Sequence, residues 1–118
     1  MATETQNVEW KQSWRDEYLE WIAGFANAHG GKMYIGKSDA ALVIGVENPK
    51  KLMEDIPNKI VNNLGLVCDV NLLEENGLQY IEIVVTPSNF PVVYHGVAHY
   101  RSGATKQVLR GTALQDFI

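Results

Sequence analysis

The sequence predicts an α+β domain, with a single mixed, mostly antiparallel sheet and two main helices packed on one of its faces. Apolar residues recur at helical spacing in two segments, residues 14–28 and residues 52–64. Shorter runs of strand-like composition are separated by turns that contain glycine. The chain has 118 residues, of which 46% are hydrophobic and 20% are charged, and this profile fits one globular domain over residues 1–118.

The first elements follow from the spacing of apolar side chains. Residues 7–11 alternate apolar and polar positions, which predicts a short strand. A helix over residues 14–28 should then end at Gly30 and Gly31, because glycine adopts the left-handed conformation without a steric penalty. Its apolar face, which we expect to pack on the sheet, comprises Trp14, Tyr18, Trp21, Ile22 and Phe25.

A hairpin and a second helix come next. The segments Lys32–Lys37 and Ala41–Val46 read as paired strands, and Ile44 should face the core. Asn48 is a favourable cap, and Pro49 fits the first helical position because its missing N–H has no partner there. Pro57 lies inside this second helix and should kink it or split it.

Two more hairpins and a helix start complete the chain. Asn-Gly and His-Gly pairs between strand-like runs are typical of tight hairpin turns. The predicted hairpins are Leu66–Glu74 with Leu78–Thr86 around Asn76-Gly77, and Val92–Tyr94 with Ala98–Arg101 around His95-Gly96. A capping box at Thr112 and Gln115 opens a further helix, so we expect a longer protein with a C-terminal module after this domain.

The charge distribution limits the partners. The net charge is −4, which argues against a domain that grips duplex DNA over its whole surface. Within residues 92–118, however, Arg101, Lys106 and Arg110 outnumber the acidic Asp116. Any phosphate-binding surface should therefore draw on this last segment.

Several kinds of chemistry lack their usual motif. Cys68 is the only cysteine, which excludes an internal disulfide and a cysteine-based zinc cluster. His95 and His99 lie four residues apart without a third ligand nearby, and Gly30-Gly31 lacks the spacing of a nucleotide-binding loop. The sequence contains no run long enough to span a bilayer and no secretory signal, so it predicts a cytoplasmic location and no membrane partner.

Two sets of polar residues could carry function. The first lies mainly in the tract 99–107, where cations, hydroxyls and an amide could donate to phosphate oxygens. With three helpers from earlier in the chain, this set comprises Lys11, Arg15, Lys37, Arg101, Ser102, Thr105, Lys106 and Gln107. The tract could equally be a solvated surface loop, or Arg101 could brace the sheet edge by pairing with Glu9 or Asp39.

The second set is a trio of carboxylates, Glu4, Glu9 and Asp39. Three carboxylates could hold a divalent ion, either Mg²⁺ or Mn²⁺, that polarises a phosphodiester. Under any other function we expect no cofactor.

The order of several motifs resembles one family. Asn7-Val8-Glu9-Trp10-Lys11, Phe25-Ala26-Asn27-Ala28-His29-Gly30-Gly31, Tyr34-Ile35-Gly36 and Tyr100-Arg101-Ser102-Gly103-Ala104-Thr105 together resemble the Schlafen AlbA-type domain, also called the divergent AAA DNA-binding domain. The resemblance implies a nucleic-acid-binding domain of a prokaryotic transcriptional regulator, with DNA favoured over RNA as partner and a homodimer as one way to build a groove.

The same resemblance implies an alternative. Some vertebrate Schlafens are metal-dependent endoribonucleases that use two glutamates and one aspartate, and Glu4, Glu9 and Asp39 occupy those positions here. Ser38 replaces an acidic residue that family members often carry beside the aspartate. A protein-interaction or ligand-sensing module is the third hypothesis.

Overall fold

The computed structural model describes residues 7–109, and its α+β class confirms the prediction. The first elements are β1 (Val8–Lys11), a 3-10 turn (Asp16–Tyr18), α1 (Leu19–Asn27), β2 (Gly31–Ile35) and α2 (Pro49–Leu64). The later strands are β3 (Asp69–Glu75), β4 (Leu78–Val85), β5 (Val93–Tyr94), β6 (Val97–Ser102) and β7 (Thr105–Val108). Neither helix in residues 7–109 is long and apolar enough to cross a bilayer.

The strands divide between two sheets, where the sequence predicted one. The first sheet has the order β1-β2-β4-β3, with β1 parallel to β2 and the other pairs antiparallel. The second is antiparallel with the order β5-β6-β7. The segment between β4 and β5 contains Pro87 and Pro91, which have no backbone N–H to donate to a ladder. This segment therefore separates the sheets instead of continuing the first one.

Both helices pack on one face of the four-stranded sheet, as predicted. Alternate residues of β2 and β4 point toward them because side chains on a strand alternate between faces. The fully buried side chains of this core include Ile22, Phe25, Met33, Ile35, Ile56, Ile60, Ile81 and Ile83. Trp14, Tyr18 and Trp21, which we expected in the same apolar face, lie at its border and are only partly buried.

The three-stranded sheet also packs on helix α1. The side-chain amide of Asn27 at the end of α1 donates to the carbonyl oxygens of Val92 and His99, each at 2.7 Å. Its carbonyl oxygen accepts the Val92 N–H at 2.8 Å. Asn27 is buried, so these three bonds fix the second sheet against the helix from inside.

The two predicted tight turns are confirmed. Asn76 and Gly77, between β3 and β4, have φ of 52° and 79°, and His95 and Gly96, between β5 and β6, have φ of 51° and 74°. Positive φ at both central residues is the geometry that matches the right-handed twist of the flanking strands. At Gly31 the backbone passes so close to α1 that an added Cβ would lie 2.4 Å from the Phe25 ring.

Other local predictions were wrong. The expected strand Ala41–Val46 is reduced to an isolated bridge between Lys37 and Val43, and Ile44 is 45% exposed. Of the two effects expected of Pro57, a kink or a split, the split does not occur, because α2 runs as one helix with Ile56 and Ile60 buried on either side of the proline. Strand β7 was not expected at all. The expected helix at Thr112 lies outside the described residues.

Candidate nucleic-acid interface

Three cations surround the ring of Trp21 on α1. The Lys11 Nζ lies 4.9 Å from the ring centroid, the Arg101 Cζ also 4.9 Å, and the Lys106 Nζ 5.3 Å. They come from the end of β1, from β6 and from β7, so packing of the second sheet on α1 brings them together. We call Lys11, Trp21, Arg101 and Lys106 the Trp21 cluster.

Arg101 is the structural member of this cluster. Its side chain is 1% exposed, and its Nη1 donates to Glu9 Oε2 at 2.5 Å. Its Nη2 donates to the Val8 carbonyl at 2.9 Å, and its guanidinium lies 4.7 Å from the Phe25 ring centroid. A buried guanidinium offers no surface to a phosphate. The pair with Glu9 is the arrangement expected of the alternative that the sequence left open, in which Arg101 braces the sheet edge.

Lys106 is held at the surface by Glu20 of α1. The ammonium donates to Glu20 Oε2, and the two side chains are 24% and 31% exposed. This hydrogen bond is the main reason that the pKa of Glu20 is below its usual value. His99 Nε2 lies 3.9 Å from the same oxygen, while burial lowers the pKa of the His99 ring. Lys106 is thus accessible but already has an anionic partner.

Lys11 and Arg15 border a small cavity beside the cluster. The Lys11 Nζ lies 4.8 Å from the Tyr18 ring centroid and 3.8 Å from Glu9 Oε1. Arg15 is exposed and pairs with Glu17 at 3.6 Å. The cavity has a volume of about 300 Å³, and its walls include Glu9, Lys11, Arg15, Tyr18 and Asp39.

The remaining residues that were predicted to contact phosphate lie at two separate places on the molecule. Ser102, Thr105 and Gln107 lie exposed around the β6–β7 turn, where Thr105 Oγ1 donates to the Ser102 carbonyl at 2.7 Å and Gln107 Nε2 donates to Thr105 Oγ1 at 3.0 Å. Lys37 does not join them. Its Nζ lies 4.4 Å from the Tyr34 ring centroid, on the face of the sheet that the helices leave open.

Two of the three predicted carboxylates, Glu9 and Asp39, lie among the described residues. Glu9 and Asp39 line the same cavity, and Glu4 lies outside the described residues. Glu9 is 4% exposed and already accepts the buried Arg101 guanidinium. Within residues 7–109 there is no group of three acidic, histidine or cysteine side chains placed to hold a metal ion. The described residues therefore do not make a metal site by themselves.

Sequence reasoning missed the role of α1 in this site. Trp21 was assigned to the core, and Glu20 was not singled out. Glu20 is the only charged residue within the helix LEWIAGFAN. A charge in an otherwise apolar helix predicts a specific partner, and this pattern could have indicated Glu20, although not that Lys106 would be that partner.

A family model matches this chain, and two solved structures have a similar fold. A family model described as Schlafen, AlbA_2 matches residues 4–110. The DIP2311 protein from Corynebacterium diphtheriae superposes with a TM-score of 0.74 and 18% identity over 87% of this chain and 22% of that chain. A second similar structure is the N-terminal domain of a Nitrosomonas europaea protein named as related to the ATP-dependent DNA helicase RecG. It superposes with a TM-score of 0.66 and 20% identity over 90% of this chain and 84% of that chain.

These likenesses differ in what they cover. The chain spans 22% of the length of the Corynebacterium protein, so most of that protein has no counterpart here. At 18% and 20% identity, both structures show the fold alone. No curated protein matches the chain at a significant level.

Proposed function

Because the chain belongs to the Schlafen AlbA_2 family, we propose that it binds nucleic acid, as the DNA-binding domain of a transcriptional regulator. The observation that carries this proposal is the Trp21 cluster, where cations from three strands meet at one aromatic ring. Lysines beside an aromatic side chain suit both the phosphates and the bases of a nucleic acid. The helicase-related name of the Nitrosomonas protein supports DNA as the ligand.

Phosphate binding at this surface is an exchange of partners. Lys106 is paired with Glu20, and Lys11 lies near Glu9, so a phosphate oxygen must replace or share an internal carboxylate. The same exchange explains how an acidic domain can bind a polyanion at one place. Because each contact gains little over the internal pair, we expect weak binding that depends steeply on salt.

The test measures how the affinity for labelled DNA varies with salt. The double variant K11A/K106A should weaken binding for all sequences and lower the slope of log K against log salt by about 2, since each phosphate contact contributes about 0.9. The control is K50A/K51A, which removes the same charge from exposed positions on α2. Thermal unfolding of both variants shows whether the fold is intact.

The two variants separate the possible outcomes. A shallower slope only for K11A/K106A supports the Trp21 cluster as the interface. Equal slopes for the wild type and K11A/K106A, with both folded, would place phosphate binding elsewhere. If the wild type shows no salt-dependent binding of DNA or RNA, the proposed function itself fails.

A metal-dependent nuclease is the second candidate, favoured by the cavity that Glu9 and Asp39 share. In this case D39N should abolish cutting of labelled RNA in the presence of Mn²⁺, whereas D69N, a matched change at an exposed residue of β3, should leave it intact. Absence of metal-dependent cutting by the wild type would remove this candidate.

A further inference from the structure

We propose that a pocket next to Lys106 receives one unpaired nucleobase, preferably guanine, and that the Glu20 carboxylate recognises its N–H groups. The inference rests on the proposed function and narrows it, because it makes single-stranded or locally unpaired nucleic acid the substrate class.

The pocket is large enough to admit a base, and its walls suit a flat ring. It has a volume of about 650 Å³ and lies between α1 and the strands of the second sheet. Val97 and Val108 form apolar walls and are 37% and 40% exposed. Tyr94 and His95 stand at one end with their ring centroids 4.0 Å apart. Aromatic and aliphatic walls favour a flat ring of any base without selecting one.

His99 is the buried polar residue of the pocket, and it faces the Glu20 carboxylate. His99 is 6% exposed, and its buried Nδ1 has no hydrogen-bond partner among residues 7–109. Its Nε2 faces Glu20 Oε2 at 3.9 Å, which favours the tautomer with the proton on Nε2 and leaves Nδ1 as an acceptor. Because Nδ1 has no exposed surface, His99 acts on a base only through its Nε2, which faces the Glu20 carboxylate.

Glu20 gives the pocket a preference among the bases. Lys106 holds its Oε2, and within residues 7–109 no hydrogen bond to its Oε1 is present. Carboxylates accept N–H donors from base edges, and guanine offers two such donors side by side on its pairing edge. Those donors are engaged in a duplex, so the preference applies to an unpaired guanine.

The pocket also continues the proposed phosphate surface. Glu20 lines the pocket and contacts Lys106, so a single carboxylate joins the two sites. One nucleotide can therefore place its phosphate at Lys106 and its base in the pocket. When the phosphate takes over Lys106, the Glu20 carboxylate becomes available to the base.

The experiment compares the affinities of oligonucleotides of about ten residues. The probes are oligo-dT, oligo-dT with one central dG, the same strand with an abasic position in place of the dG, and the duplex of the dG strand. We expect the dG strand to bind about tenfold tighter than oligo-dT, the abasic strand and the duplex, in line with the discrimination of a bidentate contact against the wrong base.

Two variants assign that preference to the pocket. V97W fills the pocket from an exposed position and should abolish the preference for dG, while V61W, a matched change on the exposed face of α2, should retain it. E20Q should lose the preference and bind oligo-dT at least as tightly as the wild type, because Lys106 is released. Equal affinity of the wild type for the dG and abasic strands, or an unchanged preference in V97W, would overturn the pocket. Failure of every probe to bind would instead reject the proposed function.

Discussion

The two sheets are attached to α1 by different forces. The four-stranded sheet meets the helices through apolar side chains such as Phe25, Met33 and Ile81, all fully buried. The three-stranded sheet is held to α1 by the Asn27 amide and the Lys106–Glu20 pair, and to β1 by the Arg101–Glu9 pair. Apolar contacts provide the stability of the domain, while the polar contacts set positions and signs of charge.

This difference indicates which region of the domain can bind a ligand. A buried isoleucine offers nothing to a polyanion, whereas a lysine held by a carboxylate can exchange that partner for a phosphate. The side chains that attach the second sheet are therefore the ones that we assign to binding, or they are neighbours of those side chains. The four changes below break or sharpen this comparison, from the largest expected effect to the smallest.

Phe25→Ala should have the largest effect, because Phe25 is fully buried and contacts both regions. We expect a loss of about 3–5 kcal/mol in the free energy of unfolding, measured by urea titration. Phe90→Ala is the control, since Phe90 is 78% exposed and should change stability little. A loss under about 1 kcal/mol for Phe25→Ala would mean that α1 is not the shared support of the two sheets.

Arg101→Ala should cost about 3 kcal/mol, because it leaves the Glu9 carboxylate buried without its main counter-ion. The double variant E9L/R101M should recover most of that loss, since apolar residues can replace a buried ion pair. For comparison, Lys32→Ala removes a half-exposed lysine that lies 3.7 Å from Glu82, and it should cost under about 1 kcal/mol. If Arg101→Ala and Lys32→Ala cost the same, the Arg101 pair does not hold the second sheet.

Asn27→Ala should cost about 2 kcal/mol, because it removes three hydrogen bonds and leaves buried groups of Val92 and His99 without partners. The local effect should be confined to the second sheet. Hydrogen exchange at the Val92 amide should accelerate far more than at Ile83 in the centre of β4. Equal acceleration at both amides would show that the two sheets unfold as one unit.

Lowering the pH should loosen the second sheet through His99. Burial holds the pKa of His99 below its usual 6.5 in the folded chain, whereas the unfolded chain titrates near 6.5. As pH falls through 6.5, the unfolded state takes up the proton first, so stability declines. H99Q should flatten the dependence of the free energy of unfolding on pH between about 8 and 5.5. An unchanged dependence would assign the effect to other groups.

The sequence predicted the local elements better than their assembly. Helix α1 ends before Gly30 as expected, and the Asn76-Gly77 and His95-Gly96 turns are present, because these features depend on neighbouring residues alone. The division into two sheets depends on the direction that the chain takes after a proline-containing segment. Strand β7 depends on its pairing with β6. Neither is encoded in a short pattern.

The candidate site shows the same limit. The sequence indicated Lys11 and Lys106 from their charge, and offered Arg101 both as a phosphate contact and as a brace. The packing of β6 on α1, which no sequence pattern indicated, buries the guanidinium beside two aromatic rings and favours the brace. Residue type predicts what a side chain can do, whereas its burial decides whether a ligand can reach it.

The most direct test of the Trp21 cluster is a titration of ¹⁵N-labelled protein with a short oligonucleotide, followed at the indole N–H signals. Trp21 can be assigned with W21F, and Trp14, at the border of the core, serves as the internal reference. We expect the Trp21 signal to shift with added oligonucleotide while that of Trp14 stays in place, and the shift to reverse as salt is raised. Saturable binding that leaves the Trp21 signal unmoved would contradict an interface at the junction of the two sheets.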